Sequence, residues 1–111
     1  MADTLRELYP DQAPDQSDAI RIVAADLAEN GAVVPIKVET DLDEVRAISI
    51  IASKNPVPLV ATFVCGPRTA GFVATRIKLA ESCEVIAVVE TGAGCYQAAK
   101  SIEVTIGGCG V

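Results

Sequence analysis

Histidine and tryptophan are absent from this sequence, and aromatic residues make up only 4% of it. Without histidine, the usual base of Cys–His and Ser–His nucleophile pairs is missing, which excludes those enzyme classes. The four cysteines, Cys65, Cys83, Cys95 and Cys109, include no C-x-x-C pair. Zinc sites need clustered Cys or His ligands, so no metal site is expected. No stretch approaches the ~18 consecutive apolar residues of a membrane-spanning helix. The first residues, MADTLRELYPDQ, contain no apolar region of the kind that marks a secretion signal. A basic stripe is missing too, and the net charge of −6 points away from nucleic acid.

What is present is aliphatic. Half of the 111 residues are apolar, enough for the core of one domain built from Val, Ile, Leu and Ala. Thr4 and Glu7 have capping-box spacing, which predicts a short N-terminal helix over DTLRELY. PDQAPDQSD reads as a polar linker. IRIVA reads as a strand, followed by a turn ending at Gly31, although Ser17 and Asn30-Gly31 also suit the two ends of a helix. In VPIKVE, Val34, Ile36 and Val38 alternate with Pro35, Lys37 and Glu39, the period of a half-buried strand. VRAISIIA, LVATFVC and FVATRIKLA are further runs, with KNPVP as a turn between the first two. EVIAVVE is apolar on both faces and predicts a central strand. TGAG is a turn, and YQAAKSIEVTI is the last strand.

Short strands between turn signals predict an all-β, immunoglobulin-like antiparallel β-sandwich. The expected domain plan is a helix and linker over 1–18, the sandwich over 19–106, and a flexible arm over 107–111. If the last four strands run up and down in sequence, Cys65 and Cys95 lie at one end, and Cys83 and the tail at the other. A Cys65–Cys95 disulfide is one pairing this allows, and both residues equally suit small core or rim positions. The apolar outer face of a strand such as EVIAVVE or VRAISIIA is expected to be buried against a partner.

The chain closes on SIEVTIGGCGV, a strand running into Gly107, Gly108, Cys109, Gly110 and Val111. Glycine carries no side chain and samples φ of either sign. From Gly107 to Cys109 such an arm reaches roughly 10 Å at about 3.3–3.6 Å per residue. Packing does not account for a cysteine whose neighbours offer no core. No Lys, Arg or His lies beside it to lower its pKa. Cys109 therefore reads as an attachment point on which other proteins act, and the chain as a carrier without catalytic residues of its own. The competing reading is an extracellular immunoglobulin-like binding or structural module with an incidental tail cysteine.

VTIGGCG at the end of a β domain resembles the SoxY family of the bacterial sulfur-oxidising (Sox) system, whose chains end in Gly-Gly-Cys-Gly-Gly. LAENGAVVPIKVE, IIASKNPVPLVATF and ATRIKLAES followed by VIAVVE extend the resemblance upstream to about residue 19. The resemblance implies an immunoglobulin-like sandwich that forms a heterodimer with SoxZ, a second small β protein. It implies that Cys109 carries thiosulfate-derived sulfur covalently, with Gly107, Gly108 and Gly110 as the flanking joints and no cofactor. The implied partner enzymes are the c-type cytochrome complex SoxAX, the hydrolase SoxB and the sulfane dehydrogenase SoxCD. The implied place is the periplasm, which would make this the mature form. Val111 departs from the pattern, standing where the family has Gly, and a branched side chain there widens the tip.

Overall fold

The computed structural model describes residue 5, residues 8–10, 13–66 and 71–106. Nine strands are assigned: β1 (Asp15–Gln16), β2 (Ile20–Val23), β3 (Leu27–Asn30), β4 (Val34–Thr40), β5 (Val45–Ala52), β6 (Leu59–Val64), β7 (Phe72–Ile77), β8 (Cys83–Thr91) and β9 (Cys95–Ile106). No helix is among the assigned elements. The expected helix over DTLRELY falls mostly outside the described residues. Of that stretch only Leu5, Leu8 and Tyr9 are described, and the Tyr9 N–H donates to the Leu5 carbonyl at 2.8 Å.

The strands form two sheets. The larger runs β1-β9-β8-β5-β6, with β3 also paired to β9, and the smaller runs β2-β4-β7. Their facing sides share one core. Ile48, Ile50, Val85, Ala87, Val89 and Ile102 come from the large sheet, and Ile20, Val34, Ile36, Val38 and Ile77 from the small one. The alternation in β4 explains its side of the core: Val34, Ile36 and Val38 are buried while Pro35 is exposed. β8 is apolar on both faces because it sits between β5 and β9 with both faces covered.

Two features depart from the antiparallel plan. β1 and β3 both pair with β9 in parallel, Asp15 opposite Tyr96 and Leu27 opposite Glu103. The segment LAEN was expected to be turn. It lacks β-branched residues, and its strand conformation comes from the free edge of β9 rather than from local propensity. Asp15–Gln16, expected to be linker, is likewise drawn onto that edge, with the Ser17 N–H donating to the Gln97 carbonyl at 3.0 Å.

Part of the outer face of the large sheet is covered by the chain itself. Ile51, Ile86, Val88 and Cys95 form a second buried cluster, against which Leu5 and Tyr9 pack. This part of the face expected to meet a partner is therefore occupied by the N-terminal segment.

Loop polarity is satisfied internally. The buried Asn55 side chain donates to the Lys78 carbonyl at 2.7 Å and accepts the Ala80 N–H at 2.9 Å. It ties the turn after β5 to the loop after β7, across the two sheets.

Candidate functional site

β9 is the longest strand and the one that leads into the Gly-Gly-Cys-Gly segment. Its two edges are held differently along its length. β8 pairs with it from Cys95 to Ile102 and stops at Cys83. Beyond that point Ser82 continues the contact: its hydroxyl accepts the Val104 N–H at 2.8 Å and lies 3.4 Å from the Val104 carbonyl.

On the other edge β3 follows β9 to its last residue, with Ala28 opposite Val104 and Asn30 opposite Ile106. The Glu103 N–H donates to the Asp26 carbonyl at 2.9 Å, and the Gly31 N–H donates to the Ile106 carbonyl at 2.7 Å. Asn30 shapes the turn that aims the Gly31 N–H, its side-chain oxygen accepting the Ala32 N–H at 2.9 Å. Lys100 and Asp26 pair at 2.6 Å at the start of this clamp, and the lysine holds the Asp26 carboxyl below its ordinary range. The backbone ladder therefore extends to Ile106, whose side chain is 65% exposed, one residue before Gly107.

An open groove of about 1,120 Å³ lies beside this root, between β3 and the paired strands β4 and β7. Val23, Leu27 and Val33 line it with exposed apolar side chains, and Glu29, Lys37 and Arg76 supply its charge. It forms where the chain crosses from the small sheet to the large one, after β2 has run out opposite Lys37. Sequence reasoning missed this groove because it depends on the β3 pairing, which the LAEN segment does not announce.

Cys109, Gly107, Gly108 and Gly110 lie outside the described residues, as does Val111. The remaining cysteines are placed clearly, and all three are free. Cys65 and Cys95 do lie at the same end of the large sheet, since Val64, Ala47, Glu90 and Cys95 follow one another across β6, β5, β8 and β9. The disulfide between them is nevertheless excluded. Three strand spacings separate them, ~14 Å at about 4.8 Å each, against a Cα separation of at most ~7 Å in a disulfide. They also occupy opposite faces, Cys65 against the inter-sheet core and Cys95 in the outer cluster.

The Cys95 thiol is buried in the outer cluster. Burial pushes its pKa up to about 11, and the charges of Glu90 and Asp15 add to the rise. Cys83 is buried opposite Ile102, at the end of the sheet from which the C-terminal segment leaves. Its side chain belongs to the core rather than to the surface near the root. Among the described residues, no group of three or more His, Cys, Asp or Glu side chains is placed to hold a metal ion.

The family model for the sulfur oxidation protein SoxY matches residues 5–109. The sulfur carrier protein SoxY from Chlorobium limicola f thiosulfatophilum superposes with a TM-score of 0.81 at 34% identity, over 95% of this chain and 96% of that one. The superoxide reductase (neelaredoxin) of Ignicoccus hospitalis gives a TM-score of 0.68 at 17% identity, over 78% of this chain and 80% of its own. At that identity the likeness is one of fold alone. No match was found among the curated proteins. With a family match over nearly its whole length and a carrier of the same family as a structural counterpart, the chain belongs to the SoxY family of sulfur oxidation proteins.

Proposed function

We propose that this chain is a covalent sulfur carrier whose Gly-Gly-Cys-Gly arm presents thiosulfate-derived intermediates on Cys109 to visiting enzymes. The observation that carries the reading is the end of the ladder. β9 is clamped to Ile106, and the next four residues are Gly107, Gly108, Cys109 and Gly110. A fixed root followed by glycines gives a thiol both a defined origin and freedom of direction. The apolar groove beside the root offers a surface against which a short arm can rest.

The chemistry asks little of the chain itself. In conjugation, the Cys109 sulfur and the outer sulfur of thiosulfate join in an S–S bond. The thiol proton is released, and two electrons pass to the cytochrome complex SoxAX. Hydrolysis by SoxB then releases sulfate and leaves the sulfane sulfur on the cysteine, where SoxCD can oxidise it. Each step draws its oxidant or catalytic base from a partner, so a carrier without histidine is chemically sufficient. In this reading the domain is an immunoglobulin-like sandwich, pairs with SoxZ and works in the periplasm.

The competing reading is a binding module of the same fold with an incidental tail. In a system reconstituted with SoxZ, SoxAX and SoxB, Cys109→Ser abolishes thiosulfate-dependent cytochrome reduction if the chain is the carrier. Unchanged turnover in that variant overturns the carrier reading.

A further inference from the structure

Asparagine occurs twice in the sequence, as Asn30-Gly31 and as Asn55-Pro56. An asparagine deamidates when the backbone nitrogen of the next residue attacks its side-chain carbonyl carbon, Cγ. The Pro56 nitrogen carries no hydrogen to give up, so Asn55 has no such route. Gly31 has no side chain to shield its nitrogen. Asn30-Gly31 is therefore the pair in this chain suited to the reaction, and asparagine is among the thermally labile residues.

The fold separates the two reacting groups. The Asn30 side chain is exposed, whereas Gly31 is buried. The Gly31 N–H donates to the Ile106 carbonyl at 2.7 Å, and the Gly31 carbonyl accepts the Leu79 N–H at 2.7 Å. Gly31 is thus tied to β9 through its nitrogen and to the loop after β7 through its oxygen. Asn30 stands opposite Ile106 at the end of β3, and its side-chain oxygen accepts the Ala32 N–H at 2.9 Å. Ring closure needs the Gly31 nitrogen to lose its proton to solvent and swing onto Cγ. While the bond to Ile106 stands, that proton points at a carbonyl oxygen and the nitrogen is fixed in the ladder. The protecting strand is short: β3 has four residues, three of them exposed. Such edge elements open locally at a lower free energy than the core does.

We propose that Asn30-Gly31 is a deamidation site gated by the β3–β9 clamp, and that its modification loosens the clamp irreversibly. The Gly31 nitrogen bonds to Asn30 Cγ, the bond from Cγ to Nδ2 breaks, and the amide group leaves as ammonia with the proton taken from the nitrogen. Water then opens the five-membered succinimide at one carbonyl or the other, giving aspartate or isoaspartate. No electrons are exchanged. Both products add a negative charge to a chain of net charge −6. Isoaspartate also routes the main chain through the side chain, which inserts a methylene before Gly31 and shifts its N–H out of register with Ile106. The bond that guards the site is then the one the product cannot remake, at the root of the C-terminal arm.

This site does not depend on the carrier reading, and the test uses the full chain. Trypsin cuts after Arg21 and Lys37, so Asn30 lies on the peptide 22–37 with no second asparagine. Its conversion is followed by mass spectrometry, with fragmentation separating isoaspartate from aspartate, in native buffer and in denaturant. The native chain is expected to react at least about tenfold more slowly than the unfolded one, since only the locally opened fraction reacts. Asp26→Ala removes the exposed pair with Lys100 and speeds the native reaction about twofold. Glu103→Pro removes the N–H bonded to the Asp26 carbonyl and speeds it about fivefold, the worth of one net hydrogen bond. If Glu103→Pro fails to fold, Asp26→Ala decides. In the aged chain, the Gly31 amide exchanges with solvent faster in the isoaspartate form than in the unmodified chain or in Asn30→Asp.

A native rate equal to the unfolded rate overturns the proposal, as does a native rate that the clamp variants leave unchanged. A Gly31 amide as well protected in the isoaspartate form as in the unmodified chain overturns it too.

Discussion

Gly31 donates its backbone N–H to the carbonyl of Ile106 at 2.7 Å, so the loop after β3 holds the last residue of β9. Among the described residues, that bond reaches the last residue before the Gly-Gly-Cys-Gly segment. It is also a bond that proline at position 31 cannot make.

Gly31→Pro removes this N–H and leaves the Ile106 carbonyl without that donor. The expected cost is about 1–3 kcal/mol, typical of an unsatisfied group in a partly buried place. Backbone amides from Glu103 onward should exchange with solvent faster in the variant, because the parallel clamp is shortened. Unchanged exchange there would mean that β9 is held by β8 and Ser82 instead.

Asn55 spans two loops with three hydrogen bonds, its own N–H donating to Ala52 at 3.2 Å and its side chain joining Lys78 and Ala80. Asn55→Ala strands the Lys78 carbonyl and the Ala80 N–H. A loss of about 2–4 kcal/mol in denaturant unfolding is expected from two such groups. The root of the arm lies elsewhere, so carrier activity of the folded fraction should persist.

Cys95 should be the slowest of the thiols to react in the native protein, since it is 7% exposed and its pKa is raised to about 11. Alkylation at pH 7.5 with mass mapping checks the order, with Cys109 modified first. The raised pKa also sets a direction for stability. The unfolded chain loses this proton at the ordinary thiol pKa while the folded chain keeps it. The contribution is therefore full below the ordinary thiol value and is lost as pH rises through about 11. Denaturation midpoints followed across that window should fall, and less so in Cys95→Ala.

Tyr9 seals the outer cluster of Ile51, Ile86, Val88 and Cys95. Tyr9→Ala should expose this apolar surface and raise the binding of a hydrophobic dye, with a loss of about 3–5 kcal/mol at most for a partly buried aromatic. No change in dye binding would show that the N-terminal segment is not what covers the face.

The elements carried by local pattern were legible in the sequence, and those carried by tertiary pairing were not. The strict alternation of Val34, Ile36 and Val38 announces β4, and the two-faced EVIAVVE announces the central β8. β3 was hidden because Leu27, Ala28, Glu29 and Asn30 have little strand propensity and respond to an edge far away in sequence. The same distance hid the covering of the outer face by Leu5 and Tyr9, and with it the limits of any partner surface there. For Cys65 and Cys95, the shared end of the sheet was legible, but the strand order and the face were not. Those two facts decide that no bridge forms. Cys109 was singled out on sequence alone, because its glycine neighbours offer it no core, and it lies outside the described residues.

The carrier reading is tested most directly by the intact mass of the chain after exposure to thiosulfate and SoxAX in the presence of SoxZ. A thiosulfate adduct mapped to Cys109 and absent from Cys109→Ser is the result it predicts. An unmodified mass, or an adduct on Cys65, Cys83 or Cys95 instead, would contradict it.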